Sequence, residues 1–443
     1  MTCKFTLSRA SADAITLLPM NIYDELQWRG LVSDCTDAVE LNKRLATGPL
    51  TLYAGFDPTA DSLHVGSLVP LLVLRRFQLF GHHPIAVAGG ATGSIGDPSG
   101  KSAERQLLTR ELLNANIAGV KPQLARWLDF DAKGNPARLV DNADWTAQLS
   151  YLDFLRDVGK HFTVNMMVAK ESIRARMEDR EVGISYTEFS YMLLQAFDFY
   201  HLCKDCNCEL QVGGSDQWGN ITAGIDLTRK KLGRHVFGLT QPLITKADGS
   251  KFGKTEAGTV WLDAKRTSVY KFYQFWINSD DRDVMQYLRY FSFKSREELE
   301  ELEKATQEKP QARLAQRALA KEITTLVHGE EEARQAEEAS QALFGRGSLA
   351  TLAEATLRAA LSETGLHPLA VAIPTVLAVL KASGLVASTK EALRTIAEGG
   401  AYLNNERVTD SEAVLDPADL LHGRYVVVRR GKKSFAGVEV AWK

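Results

Sequence analysis

The sequence predicts an α/β protein: a parallel sheet flanked by helices, followed by a helical region and a small α+β module. Three observations predict it. From about Leu50 to Gln241, short apolar β-type runs alternate with helical patterns, as β–α crossovers do. Glycine-rich turns stand at the carboxyl ends of these runs, at Gly55, at Gly89 to Gly96 and at Gly213-Gly214, where an open α/β sheet binds ligands. From Arg266 the pattern becomes helical and polar on one side, and a separate compact module begins at Ile373.

A chain of 443 residues has length for about two or three domains with real cores. Hydrophobic content of 45% and charged content of 24% exclude a disordered or fibrous class. The formal net charge of -2 gives no global attraction to nucleic acid, so any RNA contact must come from local patches. No apolar run approaches the roughly eighteen residues of a membrane span. Five cysteines, an odd number without a convincing signal peptide, point to reduced thiols in a cytoplasm. Residues 1–19 lack the apolar core of a secretory signal, and Asp13 sits badly in a mitochondrial presequence. They read as a disordered extension, or as an upstream start ahead of Met20, where an amphipathic helix begins.

The first strand, Leu50 to Tyr53, breaks at Gly55 and Asp57-Pro58, and a helical pattern starts near Leu63 and continues through Leu68, Leu71, Leu72 and Leu74. Strand, tight loop and helix N-terminus aim backbone N–H groups and a positive dipole end at a phosphate. His64 can donate to phosphate oxygens, and Gly66 lets a nucleotide lie close. Alone, the stretch serves equally as a surface loop with a capping histidine. A second buried strand, Pro84 to Ala88, runs into a glycine-rich turn ending Asp97-Pro98-Ser99-Gly100-Lys101-Ser102. Gly100-Lys101-Ser102 and Gly253-Lys254-Thr255 look like P-loop ends, but the glycine five positions earlier is Ile95 in one and Asp248 in the other. Both matches fail.

Residues 110–180 show nothing catalytic by composition. In the helix that follows, Tyr191, Gln195 and Asp198 are spaced four and three apart and share one face. Such a stripe is either half-exposed or a polar socket in an apolar pocket, since burying it without partners is costly. His201, Cys203, Cys206 and Cys208 suggest zinc, but a structural site wants a second ligand pair and none exists; the segment reads as a loop and no metal is assigned. A strand at Glu209 to Val212 ends in Gly213-Gly214-Ser215-Asp216-Gln217-Trp218-Gly219-Asn220. The segment Pro242 to Thr255 carries a turn at Asp248-Gly249 and two lysines, Lys251 and Lys254, that serve either as solvated surface groups or as charge stabilisers on a mobile loop. Helices with i, i+4 charge pairs fill 266–344; a Gly-, Ser- and Ala-rich linker follows. The last module holds a Ser388-x-x-Glu391 capping box and a run from Arg424 to Lys433 with five basic residues and no acid, suited to phosphate contacts.

His64-Val65-Gly66-Ser67 resembles the H-I-G-H signature of class I aminoacyl-tRNA synthetases, with Ser67 in place of the second histidine. The surrounding Tyr53-x-Gly-Phe-Asp-Pro-Thr-Ala-x-Ser-Leu-His64, the Gly213 to Asn220 block and Lys251-Phe252-Gly253-Lys254-Thr255 (the K-M-S-K-S loop in K-F-G-K-T form) resemble the bacterial tyrosyl branch. The resemblance covers about residues 20–443. It implies a Rossmann-like catalytic domain at 20–258 with an insertion at about 110–185 that makes a homodimer contact, an α-helical anticodon-recognition domain at 259–345, a linker at 346–371 and a small ribosomal-type RNA-binding domain at 372–443. It implies L-tyrosine contacts from Tyr53, Gly55, Asp97, Tyr191, Gln195, Asp198 and Gln217. ATP contacts would come from Asp57, Thr59, His64, Gly66, Ser67, Gly214, Asp216 and Lys254. Catalytic roles fall to His64, Lys101, Arg105, Lys251, Lys254 and Thr255. The implied partners are ATP as substrate with Mg²⁺ on its phosphates, L-tyrosine and tRNA(Tyr), with no membrane. The other class compatible with the sequence is an inactive synthetase-like RNA-binding protein, for which Ser67 leaves room.

Overall fold

A computed structural model describes residues 21–99, 107–178, 183–250, 252–255, 258–344, 347–431 and 434–442. Contacts divide the chain into two units, one running to Thr259 with Arg289–Phe291, the other comprising Val260–Leu288 and Ser292 onward. Among the described residues no helix is long and apolar enough to cross a membrane.

The first unit is built on a six-stranded sheet of β1 (Asp34–Cys35), β2 (Thr51–Phe56), β3 (His83–Ala88), β4 (Arg138–Asp141), β5 (Cys208–Gly214) and β6 (Phe237–Gln241) in the order β1-β6-β5-β2-β3-β4. All neighbours are parallel except the edge strand β1. Chain order reverses between β2 and β5, so the crevice at their carboxyl ends is the switch point where such sheets take ligands. Apolar runs make these strands because both faces are covered: Leu52, Tyr53, Ala54, Ile85, Ala86, Val87, Leu210 and Val212 are all buried.

Two long helices cover the face that carries Tyr53. The helix Tyr186–Cys206 starts where the Ser185 side chain accepts from the Glu188 N–H, and ends at Asn207 in the left-handed region, φ 51°. The helix Trp218–Leu232 ends at Gly233, φ 64°. The first of these corrects one sequence reading, because His201 to Cys206 is its last turn and not a loop. Cys203 and Cys208 are buried in an apolar cluster with Phe199 and Leu202, and His201 pairs with Asp205 at 3.1 Å. A second correction concerns residues 110–185. That stretch contributes β4 to the main sheet, registered on β3 from Ile85↔Arg138 to Ala88↔Asp141. A four-residue strand with charged ends leaves too short a pattern to read.

Beyond β6 a two-stranded ladder pairs β7 (Lys254–Thr255) with β8 (Gly258–Thr259). The second unit holds the helices Val269–Ile277, Arg296–Glu308, Leu314–His328, Glu330–Leu343 and Glu354–Thr364. Its sheet comprises β9 (Leu366–Val371), β10 (Ala401–Leu403), β11 (Glu406–Arg407), β12 (Tyr425–Arg430) and β13 (Ser434–Trp442) in the order β11-β10-β12-β13-β9. Residues 346–371, expected as a linker, therefore contain a helix and a strand, and β9 runs parallel to β13. The reason lies in residue size. Ala360, Leu357 and Leu361 pack on Ala339, Ala342, Tyr425 and Val427, so small side chains suffice to bury this helix. The Ser388 cap is present, but Glu391 reaches the Ala387 N–H at 2.8 Å and not the cap's own N–H, so the expected box is half formed.

Candidate functional site

At the switch point the strand β2 delivers Tyr53 into the core and then Gly55, Asp57 and Thr59 to the sheet's rim. The Tyr53 ring packs edge-on against Phe199 at 5.4 Å, and its hydroxyl is fully buried with no hydrogen-bond partner among the described residues. Burial, and then the nearby Asp198 charge, hold its pKa well above the ordinary value, so it is a neutral hydroxyl. Asp198 is 4% exposed and accepts from Asn142 Nδ2 at 2.9 Å and Trp145 Nε1 at 2.8 Å. Burial raises its pKa to about 7; the two donors pull it down and the carboxylates of Asp57 and Asp141 push it up.

A second polar group gathers one helical turn away. The Tyr191 hydroxyl donates to Asp57 Oδ2 at 2.7 Å, and Thr92 Oγ1 donates to Asp57 Oδ1 at 2.6 Å. Burial, followed by Asp57, raises the Tyr191 pKa well above its usual value. Gln217 Nε2 donates to Asp97 Oδ2 at 2.6 Å, and the Ser99 N–H closes on Asp97 Oδ1 at 2.9 Å. Asn220 Nδ2 joins Gln195 Oε1 at 3.1 Å to Gln217 Oε1 at 3.3 Å. Tyr191, Gln195 and Asp198 do share one helix face, and the socket reading of that stripe prevails because each of the three has a polar partner or neighbour.

On the same rim stands the turn Val65–Ser67, ahead of the helix Leu68–Leu79. His64 is exposed, and its Nδ1 accepts from the Gly66 N–H at 3.0 Å. The imidazole proton is therefore left to Nε2, the nitrogen directed away from the backbone. Ser67 donates its N–H to the His64 carbonyl at 2.8 Å. Gly253 has φ 75°, and a Cβ there would come within 2.7 Å of Val65 Cγ2, so the loop carrying exposed Lys254 lies directly on this turn. Across the crevice, a Cβ on Gly214 would meet Asp216 Oδ1 at 2.6 Å and Leu243 Cδ2 at 3.2 Å. Burial, and then Asp97, raise the Asp216 pKa. Lys101, Arg105 and Lys251 lie outside the described residues, as does the side chain of Thr255.

The arrangement suits a zwitterionic amino acid with a polar para substituent, lying beside a nucleoside triphosphate. Residues 45–345 match the profile of class I tRNA synthetases (W and Y), and residues 369–438 match the tyrosine–tRNA ligase SYY-like C-terminal domain. The chain belongs to the class I tRNA synthetase family. A tyrosine–tRNA ligase of Opitutus terrae is 55% identical over 427 residues, covering 95% of this chain and 100% of its own. That of Bacillus caldotenax is 54% identical over 417 residues, 94% of this chain and 99% of its own. Among solved structures, a C-terminally truncated Aspergillus nidulans mitochondrial tyrosyl-tRNA synthetase superposes with a TM-score of 0.66 at 30% identity, covering 75% of this chain and 97% of that one.

Within this synthetase fold, sequence reasoning passed over Thr92, Asn142, Trp145 and Asn220. Asn142 and Trp145 follow β4 in a stretch judged free of chemistry, and isolated residues in a short turn carry no periodic signal. The available signal was chemical: a carboxylate buried at Asp198 needs donors, and Asn142 and Trp145 supply them from the turn after the edge strand β4.

Proposed function

We propose that the chain activates L-tyrosine with ATP and transfers it to the 3′ end of tRNA(Tyr). It is a tyrosine–tRNA ligase. The observation that carries the reading is the Tyr53 hydroxyl, buried beside the Asp198 carboxylate with no partner among the described residues: a phenol placed there would pair with both, and a plain benzyl side chain with neither. The tyrosine carboxylate oxygen attacks the α-phosphorus of ATP, the α–β bridging oxygen leaves with pyrophosphate, and tyrosyl-adenylate remains. A terminal ribose hydroxyl of the tRNA then attacks the acyl carbonyl and AMP leaves. The substrate carboxylate is itself the nucleophile, so positioning and charge stabilisation do the catalysis.

In this reading Tyr191, Gln195 and Asp97 accept from the ammonium group, and Gln217 donates to the carboxylate. Asp216 accepts from the ribose hydroxyls beside Gly214, with Asp57, Thr59, Gly55 and Gly66 lining the approach. His64 Nε2, Ser67, Lys101, Arg105, Lys251, Lys254 and Thr255 face the phosphates, and Mg²⁺ arrives with ATP as part of the substrate. Exposed Leu149, Tyr151, Leu152 and Leu155 support a homodimer contact in the 110–185 stretch, extended by the adjoining exposed Tyr186, whose hydroxyl lies 3.4 Å from that of Tyr151. Arg429 lies 4.1 Å over the Tyr402 ring on the last sheet, a pairing suited to tRNA. Free thiols at Cys35, Cys203, Cys206 and Cys208 support a cytoplasmic location. The test is pyrophosphate exchange into ATP, screened over all the standard amino acids. Exchange driven by tyrosine alone is expected; exchange driven by another amino acid, or none, would reject the reading.

A further inference from the structure

We propose that Asn220 is a positioning residue for tyrosine activation, relaying the polarity of the Gln217 amide to Gln195 and so setting which end of the Gln195 amide meets the amino acid; the inference rests on the ligase reading above. An amide presents an oxygen acceptor at one corner and an NH₂ donor at the other, and nothing in its shape decides which points where. Here a chain of contacts decides it. A carboxylate offers only acceptors, so Gln217 must turn its NH₂ to Asp97, and Nε2 lies 2.6 Å from Oδ2. The Gln217 oxygen then faces Asn220 at 3.3 Å, which obliges Asn220 to present its own NH₂ there. The same nitrogen lies closest to Gln195 Oε1, at 3.1 Å, so Gln195 must turn its oxygen toward Asn220. Ser99 Oγ at 3.4 Å and Asp97 Oδ1 at 3.5 Å complete a ring of acceptors around the same nitrogen.

Asn220 is 6% exposed, in the first turn of the helix Trp218–Leu232, and it ties together three segments distant in sequence: the loop after β3, the helix Tyr186–Cys206 and the turn after β5. The relay has one chemical consequence. Gln195 is held as an acceptor with a second lone pair, the polarity an ammonium group needs, and Gln217 is held with its donor on the Asp97 side, the polarity a carboxylate needs. Aspartate at 220 would face two carbonyl oxygens with a third acceptor, forcing one amide to flip. The site would then offer the zwitterion the wrong polarity at one end while keeping its volume.

The experiment is tyrosine-dependent pyrophosphate exchange by the full chain, measuring KM for tyrosine and for ATP with Asn220→Asp, Asn220→Ala and Gln195→Ala, singly and with Asn220→Ala combined with Gln195→Ala. Asn220→Asp should raise KM for tyrosine by about tenfold or more and leave KM for ATP within about twofold. The double variant should be little worse than Gln195→Ala alone, because Asn220 acts through that amide. Asn220→Ser keeps one donor and guards against loss of fold: it should recover most of the tyrosine affinity that Asp loses. Equal rises in both KM values, a fall in kcat alone, additive effects in the double variant, or serine as damaging as aspartate would each overturn the proposal. A wild-type chain without tyrosine-dependent exchange would reject the ligase reading instead, and this inference with it.

Discussion

At Asp198 two effects oppose each other. Burial strips water from the carboxylate, while Asn142 and Trp145 donate to its ionised form, and the balance lies at about 7. The folded protein thus holds this proton more tightly than the unfolded chain, in which the pKa returns to about 4. The contribution of this group to stability is greatest below that value and declines as pH rises toward 7. On the proposed function the functional sign is opposite, because only the ionised form would accept from the substrate phenol. We expect kcat/KM for tyrosine to rise with pH through about 7, and Asp198→Asn to abolish that rise along with most activity; an unchanged profile in the Asn variant would assign the titration elsewhere. Tyr53 is the neighbouring test. Its buried hydroxyl goes unpaired when phenylalanine binds, at a cost of about 1–3 kcal/mol. Tyr53→Phe should narrow the tyrosine-to-phenylalanine ratio in exchange by roughly tenfold, and an unchanged ratio would remove Tyr53 from the pocket.

Two elements meet at the rim of the sheet, the turn at Val65–Ser67 and the loop through Gly253 and Lys254. Gly253 has a positive φ and no room for a Cβ beside Val65. Alanine there should displace the loop, at about 1–2 kcal/mol of backbone strain. If the loop's lysines act on the pyrophosphate leaving group, as proposed above, Lys251→Ala and Lys254→Ala should each slow adenylate formation far more than they weaken tyrosine binding. Stopped-flow fluorescence on tyrosine binding and adenylate formation separates the two, and a variant that changed only the tyrosine dissociation constant would misplace the lysine. Ser67 is a milder case. Its hydroxyl can donate one bond but carries no charge, so His64 supplies the larger share, and Ser67→His should change activation by less than about tenfold.

On the scale of the whole molecule, the second unit joins the helical region to the last sheet through one apolar cluster, in which Tyr270, Ala339, Leu343 and Leu361 pack with Tyr425, Val427 and Phe435. Removing residues 372–443 would strip that cluster as well as the basic run. We expect tRNA charging to collapse while pyrophosphate exchange persists, with a fall of several degrees in the melting temperature of the remainder. Loss of exchange and charging in equal measure would tie the last sheet to the activation chemistry.

Motif chemistry and periodicity made much of this protein legible before any fold was seen. The strand–loop–helix turn at His64, the stripe of Tyr191, Gln195 and Asp198, the Gly213 to Asn220 block and the loop at Lys254 are local patterns. A strand end or one helix face is set by residues a few positions apart, so sequence alone determines it. The partners of those residues were not legible. Asn142 and Trp145 reach Asp198 across more than fifty positions of chain, and Asn220 reaches Gln195 and Asp97 only after two crossovers bring β3 and β5 to either side of β2. The helix Glu354–Thr364 was equally hidden, because its small side chains become apolar surface only against the neighbours that cover them. Which groups a buried polar side chain faces, and hence its protonation and orientation, is decided by packing between distant segments, and only the tertiary structure carries that information.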